Sequence, residues 1–160
     1  MTDDIHILLH NIRSAHNVGS IFRTSDAIGV SKIYLSGYSP LPIDRFGRSA
    51  KEITKTALGS EKNIVWQGIK NPQKLIEKLK EDGYQVIAIE QGENSLDYKK
   101  FQVKQKCLVL VGNEVLGLSK QLKDQCDVLL EIPMHGKKES LNVSVAFGIV
   151  MFRIFDHIEL

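Results

Sequence analysis

Short apolar runs alternate with helical patterns along nearly the whole chain, and no other feature of the sequence restricts its fold as much. Apolar runs joined by amphipathic helices are typical of parallel strands linked by crossover connections. Because these runs are rich in Val, Ile and Leu, helices are expected to cover both faces of the sheet. The sequence therefore predicts an α/β fold with strands at 5–10, 32–36, 63–66, 84–90, 107–112 and 128–133.

Helical patterns fill several of the intervals between these strands. A helix over 17–28 has one apolar face, with Gly29 placed to end it in a left-handed conformation and Arg23 on the opposite face. Asn71 followed by Pro72 is a typical helix start and predicts a second helix with a structural role.

The final helix, over 141–158, is apolar nearly all round, so several of its sides must be covered. The whole chain has 160 residues, which fits one domain with one core. We therefore expect this helix to form a homodimer interface as well as part of the core. The alternative is a helix buried within a single subunit.

The overall charge is too small to identify a nucleic-acid-binding protein. The formal net charge is +2, so any RNA-binding surface must be local. The candidates are the basic residues Arg45, Arg48, Lys51 and Lys55, spaced about one helical turn apart, and the pair Lys137 and Lys138. The alternative for these residues is a solvated helix face and a polar loop.

Composition disfavours several classes of protein. The chain is 42% hydrophobic and 25% charged, as globular proteins are, which argues against disorder and membrane insertion. Residues 1–4 are acidic and lack the features of a signal peptide, so we expect a cytoplasmic protein. Cys107 and Cys126 are far apart, and the five histidines show no ligand spacing. We therefore expect reduced thiols and no bound metal.

Three polar loops follow three of the predicted strands. Residues 11–23 follow the first strand and open the first helix, at the strand end where α/β folds bind ligands. Free amide groups at a helix N-terminus also favour anions such as phosphate. The ordinary alternative makes Asn17 a helix cap and leaves Arg23 in solvent.

The second loop follows the apolar strand at 107–112. Gly112 and Gly117 frame this loop, Glu114 is its one carboxylate, and Ser119 is placed to cap the next helix. The three-glycine dinucleotide fingerprint and its later acidic residue are absent, which disfavours a Rossmann dehydrogenase.

The third loop connects the last predicted strand to the final helix. Ser140 is placed to cap that helix, and Asn142 lies in its first turn. A cap alone does not explain why Asn142 and Ser144 interrupt an otherwise apolar helix. Because all three loops leave the sheet at strand ends, we expect them to form one composite site.

Taken in order, the three loops resemble the motifs of the SpoU-type RNA ribose methyltransferases of the SPOUT superfamily. The matching patterns are Asn17-x-Gly19-x-x-x-Arg23, Gly112-x-Glu114-x-x-Gly117, and Ile132-Pro133-Met134 followed by residues 140–146. The similarity covers nearly the whole chain, which has the size of the minimal catalytic domain without the additional RNA-binding domain of some members.

This resemblance implies a fold and partners that periodicity does not show. It implies a deep trefoil knot in the C-terminal part of the sheet, against the general rule that chains are unknotted. It also implies S-adenosylmethionine bound in a bent conformation by the knot loops, and two subunits packed through the first and last helices. The substrate would be tRNA or rRNA.

The resemblance also assigns roles by position. Gly112, Ile132 and Leu141 would hold the cofactor through backbone groups and apolar contacts, while Asn17 and Arg23 would face the ribose. The implied cofactor-binding residues are Leu110, Gly112, Gly117, Ile132, Met134, Leu141 and Ala146. The implied catalytic and organising residues are Asn17, Arg23, Glu114, Ser140 and Asn142. For RNA contact we expect Arg13, Arg45, Arg48 and Lys51.

Two mechanisms and two other kinds of protein stay open. In the family's proposed mechanism, Arg23 accepts the hydroxyl proton after perturbation by a substrate phosphate. Alternatively, Arg23 only clamps the phosphate while water takes the proton, because guanidinium groups rarely deprotonate. The other proteins are a non-catalytic RNA-binding protein of the same fold and a flavodoxin-like domain.

Overall fold

All strands of the computed structural model, which describes residues 4–156, lie in one parallel sheet. Its spatial order is β3-β2-β1-β6-β4-β7-β5, and each neighbouring pair is parallel. The strands are β1 (Asp4–His10), β2 (Lys32–Ser36), β3 (Val65–Ile69), β4 (Gln85–Ile89), β5 (Leu96–Asp97), β6 (Lys106–Val111) and β7 (Val128–Glu131). The predicted α/β class is confirmed.

Helices connect most of these strands. They are α1 (Ala15–Ile28), α2 (Lys51–Ala57), α3 (Ser60–Asn63), α4 (Pro72–Glu81), α5 (Lys120–Gln125) and α6 (Val143–Phe155), and a short 3-10 turn spans Tyr98–Lys100. Two of the predicted helix ends are confirmed. Gly29 ends α1 with φ 77°, and Asn71 caps α4 by accepting a hydrogen bond from the amide of Lys74.

The core lies on both faces of the sheet, as the apolar strands predict. On one face, Phe22 of α1 and Phe147 of α6 are fully buried against alternate side chains of β1 and β6. On the other face, Ile76 of α4 and Leu122 of α5 pack with Leu8 of β1. Burial of each such side chain contributes about 1.5–3 kcal/mol to folding.

Several predicted boundaries were wrong. The strand predicted at 63–66 begins at Val65, because Ser60–Asn63 form the short helix α3 and Ile64 leaves it in an extended conformation. The strand β5, with two residues, was not predicted. The final helix begins at Val143 rather than 141, and the end predicted for it at 158 lies outside the described residues.

Candidate active site

A cavity of about 200 Å³ opens at the carboxyl edge of the sheet, between the segments that follow β4, β6 and β7. Because the strands are parallel, the loops after all of them leave at this one edge. The cavity wall includes both apolar and carboxylate side chains. Its residues are Ile89, Glu90, Gln91, Gly112, Asn113, Glu114, Val115, Gly117, Leu130, Glu131, Ile132, Met134, Ser140, Leu141, Val143 and Ala146.

Glu114 joins the loop after β6 to the start of α1. Its carboxylate accepts hydrogen bonds from the backbone amides of Arg13 and Ser14, each at 3.0 Å. The Nδ2 of Asn17 donates to the same carboxylate at 3.2 Å. The positive end of the α1 dipole also favours a negative charge at this position. Glu114 therefore holds the second loop against the first.

Asn17 extends this connection to the third loop. Its Oδ1 accepts a hydrogen bond from Nδ2 of Asn142 at 3.1 Å. The Oδ1 of Asn142 in turn caps α6, accepting from the amides of Ser144 at 2.9 Å and Val145 at 3.3 Å. The three loops are thus joined by one hydrogen-bonded chain from Glu114 through Asn17 to Asn142, which we call the amide network.

The pKa of Glu114 lies below its ordinary value. Burial raises this pKa, but hydrogen bonds from the backbone of Arg13 and Ser14 and from the side chain of Asn17 lower it by more. The group is therefore a carboxylate at neutral pH. Both of its oxygens accept backbone hydrogen bonds, which fix the second loop against the start of α1.

Ser119 caps α5 as predicted, but the caps of α1 and α6 are not the residues considered from the sequence. Ser14, not Asn17, caps α1, and its Oγ accepts a hydrogen bond from the amide of Asn17. Asn142, not Ser140, caps α6. The side chain of Asn17 is therefore available to the amide network, and Ser140 lies on the cavity wall.

Asn113 also shapes the site, although it is not one of the residues predicted from the sequence. Its Oδ1 accepts hydrogen bonds from the amides of Val115 at 2.9 Å and Leu116 at 2.8 Å, which closes the turn of the second loop. Its Nδ2 donates to the carbonyl of Asn11 at 3.1 Å and to the hydroxyl of Tyr38 at 2.8 Å. In the sequence, only its position inside the second loop indicates a role in the site.

Two carboxylates on the cavity wall were also missed. Glu90, directly after β4, accepts a hydrogen bond from the amide of Leu118 at 2.8 Å. Gly117 has φ +67° and lies so close to Glu90 that a Cβ would meet the carboxylate. Glu131, the last residue of β7, adds the second carboxylate. A single glutamate at a strand end forms no motif, so neither residue could be selected from the sequence.

The motif glycines are required by packing within the protein. A Cβ on Gly112 would lie 2.8 Å from the carbonyl carbon of Gly117 and from the amide nitrogen of Leu118. A Cβ on Gly19 would meet the hydroxyl of Thr56, where α2 packs on α1. Gly112 therefore lets the second loop fold back on its own strand, and Gly19 lets two helices approach closely.

Most of the residues assigned to the cofactor lie together. The cavity wall contains Gly112, Gly117, Ile132, Met134, Leu141 and Ala146. Leu110 does not lie there. Its side chain is fully buried on the opposite face of the sheet, in the cluster that contains Leu8 and Leu122. Leu110 therefore belongs to the core, and its contact with the cofactor stays a prediction.

Arg23 does not lie on the cavity wall or in the amide network. Its side chain is exposed on α1 and forms no ion pair or hydrogen bond with another residue between 4 and 156. Arg13 contributes its backbone amide to Glu114, while its side chain is exposed. The structure therefore brings together every assigned catalytic and organising residue except Arg23.

We expected the basic residues near α2 to follow one another along a single helix, and this was wrong. Arg45 and Arg48 precede α2, which begins at Lys51 after the extended residue Ala50. Arg48 pairs with Asp44 at 2.8 Å, which places both arginines in a structured turn. Lys51 is exposed in the first turn of α2.

The part of the chain that the structure describes lacks two further features, a metal-binding cluster and a membrane-spanning helix. No three His, Cys, Asp or Glu side chains there converge in a group that could hold a metal ion. No helix within residues 4–156 is long and apolar enough to cross a membrane.

Comparison with known proteins gives several matches over nearly the whole chain. Residues 4–152 match the model of the SpoU rRNA Methylase family. A TrmH family tRNA/rRNA methyltransferase of Staphylococcus saprophyticus is 33% identical over 93% of this chain and 57% of its own length. The chain thus spans little more than half of that relative.

Solved structures have the same fold. The AdoMet-bound rRNA methyltransferase of Sinorhizobium meliloti is 29% identical, with a TM-score of 0.88 over 100% of this chain and 59% of its own. The TrmH/SpoU tRNA modifying enzyme of A. aeolicus is 27% identical, with a TM-score of 0.84 over 97% of this chain and 75% of its own. From the motifs, the fold and the match over 4–152, the chain belongs to the SpoU rRNA methylase family.

Proposed function

We propose that this protein transfers the methyl group of S-adenosylmethionine to a ribose 2′-hydroxyl of tRNA or rRNA. The observation that carries the proposal is the amide network, which joins three separate loops beside one cavity through Glu114, Asn17 and Asn142. The relatives described as tRNA/rRNA methyltransferases and as AdoMet bound support the substrate and the cofactor.

The composition of the cavity wall fits S-adenosylmethionine. Its apolar part, from Ile132, Met134 and Leu141, suits the adenine ring, while the carboxylates of Glu90 and Glu131 suit the two cationic groups of the cofactor. When bound, the cofactor supplies an electrophilic methyl group on a sulfonium. The residues of this chain would hold it and exclude water around it.

Arg23 is proposed to hold a phosphate of the substrate next to the reacting ribose. Its exposed guanidinium has no ion-pair partner within residues 4–156, so it is available to an RNA phosphate. We favour water as the acceptor of the hydroxyl proton, because Glu114 is held by backbone amides. Arg23 lies outside the cavity of its own subunit. The RNA must therefore extend from a cavity to Arg23 on α1, and that cavity belongs either to the same subunit or to the partner in a dimer.

A homodimer through α1 and α6 is part of the proposal. Val145, Ile149 and Phe152 are 49%, 37% and 49% exposed and follow one another at helical spacing along α6. Such an apolar stripe is typical of a surface covered by a partner. The all-round burial expected for α6 is therefore incomplete within one subunit.

The trefoil knot and the cytoplasmic location are also proposals. The sheet order supports the knot, since β6 lies between β1 and β4, and β7 lies between β4 and β5, although both strands come late in the chain. An experimental electron-density map tracing the chain through this region tests the knot. A cytoplasmic location agrees with a tRNA or rRNA substrate, and cell fractionation tests it.

The reaction is tested by incubating the protein with isotopically labelled S-adenosylmethionine and total RNA, and then analysing digested nucleosides by mass spectrometry. The expected result is label in one or a few 2′-O-methylated nucleosides. Label in base-methylated nucleosides contradicts ribose specificity, and no label contradicts the activity. The Arg23→Ala variant serves as the matched control for contaminating enzymes.

A further inference from the structure

The segment between β2 and α2 contains a tight hairpin whose tip, residues 44–48, lies outside both the cavity wall and the amide network. The amide of Gly47 donates to the carbonyl of Asp44 at 3.0 Å, and the amide of Asp44 donates to the carbonyl of Arg48 at 2.9 Å. Ile43 pairs with Ser49 across its base. Gly47 has φ +76°, which is the left-handed glycine expected in a short hairpin loop of this kind.

Asp44 holds the tip in one shape. Its Oδ1 accepts hydrogen bonds from the amides of Phe46 at 2.8 Å and Arg48 at 3.0 Å, and its Oδ2 accepts one from Nε of Arg48 at 2.8 Å. The bond from the Arg48 backbone is the main cause that lowers the pKa of Asp44. The carboxylate is therefore charged at neutral pH and is used within the turn.

This structured tip presents an aromatic ring to solvent between two arginines. Phe46 is 66% exposed, so its ring adds little to the core. The guanidinium carbon of Arg45 lies 4.7 Å from the ring centroid, and that of Arg48 lies 5.0 Å from it. Arg45 has no carboxylate partner in the described part of the chain, and the exposed Lys51 follows closely in sequence.

A single exposed apolar residue is ordinary, but this combination is not. The tip offers one planar apolar surface, a positive charge that no neighbouring carboxylate neutralises at Arg45, and a backbone already ordered by Asp44. Unpaired nucleotides have the complementary chemistry, namely a flat base and a phosphate anion. In duplex RNA the bases are stacked within the helix and cannot reach such a ring.

From this geometry we infer that the hairpin tip is a stacking platform for one unpaired base of the RNA substrate. Phe46 stacks on the base, which displaces the guanidinium of Arg45 toward the adjoining phosphate. Arg48 stays fixed by Asp44 and supports the ring. This inference rests on the proposed function, because it takes RNA as the substrate.

The platform is connected to the candidate active site. The same segment begins with Tyr38, whose hydroxyl accepts a hydrogen bond from Asn113, and Ser39, whose Oγ accepts one from the amide of Ile12 at 2.9 Å. At its other end, α2 packs closely on α1 at Gly19. A base held by Phe46 would therefore orient the RNA relative to the three motif loops.

The test measures binding of a fluorescent oligoadenylate of about 12 nucleotides, a length within the range that single-strand-binding sites cover. An RNA duplex of equal length is the second probe. Phe46→Ala is expected to weaken oligoadenylate binding about tenfold and to leave duplex binding and thermal unfolding unchanged. Phe46→Tyr keeps the ring and should bind like the wild type, whereas Phe46→Leu keeps only the apolar character and should bind like Phe46→Ala.

Two controls separate stacking from other contacts. Val65→Ala removes a side chain of similar exposure, 61%, on β3 and should leave affinity unchanged. Arg45→Ala should reduce the slope of log affinity against log salt concentration by about 0.7, the value for one contact to single-stranded phosphate. Phe46→Ala should leave that slope unchanged.

The platform is overturned if Phe46→Ala binds oligoadenylate like the wild type. It is also overturned if Phe46→Leu binds oligoadenylate as tightly as the wild type. The tip would then need only an apolar side chain and no aromatic ring, which fits a protein partner better than a base. Methyl transfer by the wild type to total RNA is measured in parallel. If the wild type transfers no methyl group but its oligoadenylate binding depends on Phe46, only the proposed function is overturned. If it transfers the methyl group but its oligoadenylate binding does not depend on Phe46, only the platform is overturned.

Discussion

The two edges of the sheet each carry a carboxylate whose pKa is lowered, but the two carboxylates have different kinds of hydrogen-bond partner. At the carboxyl edge, Glu114 accepts hydrogen bonds from backbone amides of Arg13 and Ser14. At the amino edge, Asp4 accepts a hydrogen bond from the Tyr84 hydroxyl and lies 3.0 Å from Nε2 of His6. One carboxylate fixes the backbone of a loop, and the other joins side chains.

The amino-edge cluster is packed on itself. The ring of His6 lies 4.8 Å from that of Tyr84 and 5.6 Å from that of Tyr34, measured between centroids. Burial raises the pKa of the Tyr84 hydroxyl, and its hydrogen bond to Asp4 raises it further, so Tyr84 stays neutral. These side chains stabilise one another near the amino ends of the strands. The carboxyl-edge carboxylate instead aligns three loops around a cavity.

The partners of a partly buried carboxylate therefore identify a site better than its pKa does. Both groups titrate below their ordinary values, for similar physical reasons. A carboxylate bonded to backbone amides determines where a loop lies, and loops carry ligand-binding groups. A carboxylate bonded to side chains adds to stability at its own position.

The largest effect is expected for Arg23→Ala. Arg23 is exposed, so its loss should leave thermal unfolding and cofactor affinity unchanged. Methyl transfer should fall about a hundredfold or more, because substrate positioning is lost. The measurement compares single-turnover transfer with calorimetric binding of S-adenosylmethionine. Near-normal transfer by Arg23→Ala would place the active site elsewhere.

Arg23→Lys sharpens this result. Lysine keeps the charge and loses the planar fork that binds phosphate with two hydrogen bonds. We expect activity much closer to that of Arg23→Ala than to the wild type. Recovery of most activity would mean that charge alone is sufficient.

The next effect is on assembly. Phe152 is 49% exposed on α6, so Phe152→Glu should give a folded monomer if this face forms the dimer. The matched control is Phe147→Glu on the same helix, because Phe147 is fully buried and a charge there should prevent folding. Light scattering with circular dichroism measures both. A wild-type monomer at micromolar concentration would contradict the proposed dimer.

Gly112→Val is expected to affect the carboxyl edge more moderately. The new side chain would overlap the backbone at Gly117 and Leu118 and so displace the second loop. Overpacking of this kind costs about 1–3 kcal/mol of folding stability, and S-adenosylmethionine affinity should fall with it. Unchanged calorimetric affinity in folded variant protein would show that this loop does not form the cofactor site.

Much of the fold could be predicted from the sequence, because buried strands and amphipathic helices leave regular apolar patterns. The strand at 32–36 matches its prediction residue for residue. The order of strands could not be predicted, because it depends on pairings such as β1 with β6 that join residues about a hundred positions apart. The two-residue strand β5 is too short to leave a pattern.

The site shows a similar division. Asn17, Glu114 and Asn142 were found because they lie in motifs, but their mutual hydrogen bonds are set by the folded backbone. Leu110 was assigned to the cofactor by position alone. Side chains of a strand alternate between faces, and Leu110 lies on the face opposite Val109 and Val111. Its side chain packs with Ile76 and Leu122 in the core of that face and is not part of the cavity wall.

The smallest effects concern pH and compare the two edges directly. A group whose folded pKa is lowered stabilises the protein above its ordinary pKa, and this contribution is lost as the pH falls through the folded value. Glu114 and Asp4 have ordinary values of 4.5 and 3.8 and lowered folded values. Both should therefore make the wild type less stable on acidification below about pH 4.

Glu114→Gln and Asp4→Asn each remove one of these titrations while keeping the shape of the side chain. Thermal unfolding recorded from neutral to acid pH should show a smaller loss of stability in both variants than in the wild type, since neither amide titrates. Only Glu114→Gln should also reduce methyl transfer at neutral pH, because only Glu114 holds the motif loops. If Asp4→Asn reduced transfer as much, the amino edge would contribute to the site and the distinction between the two edges would fail.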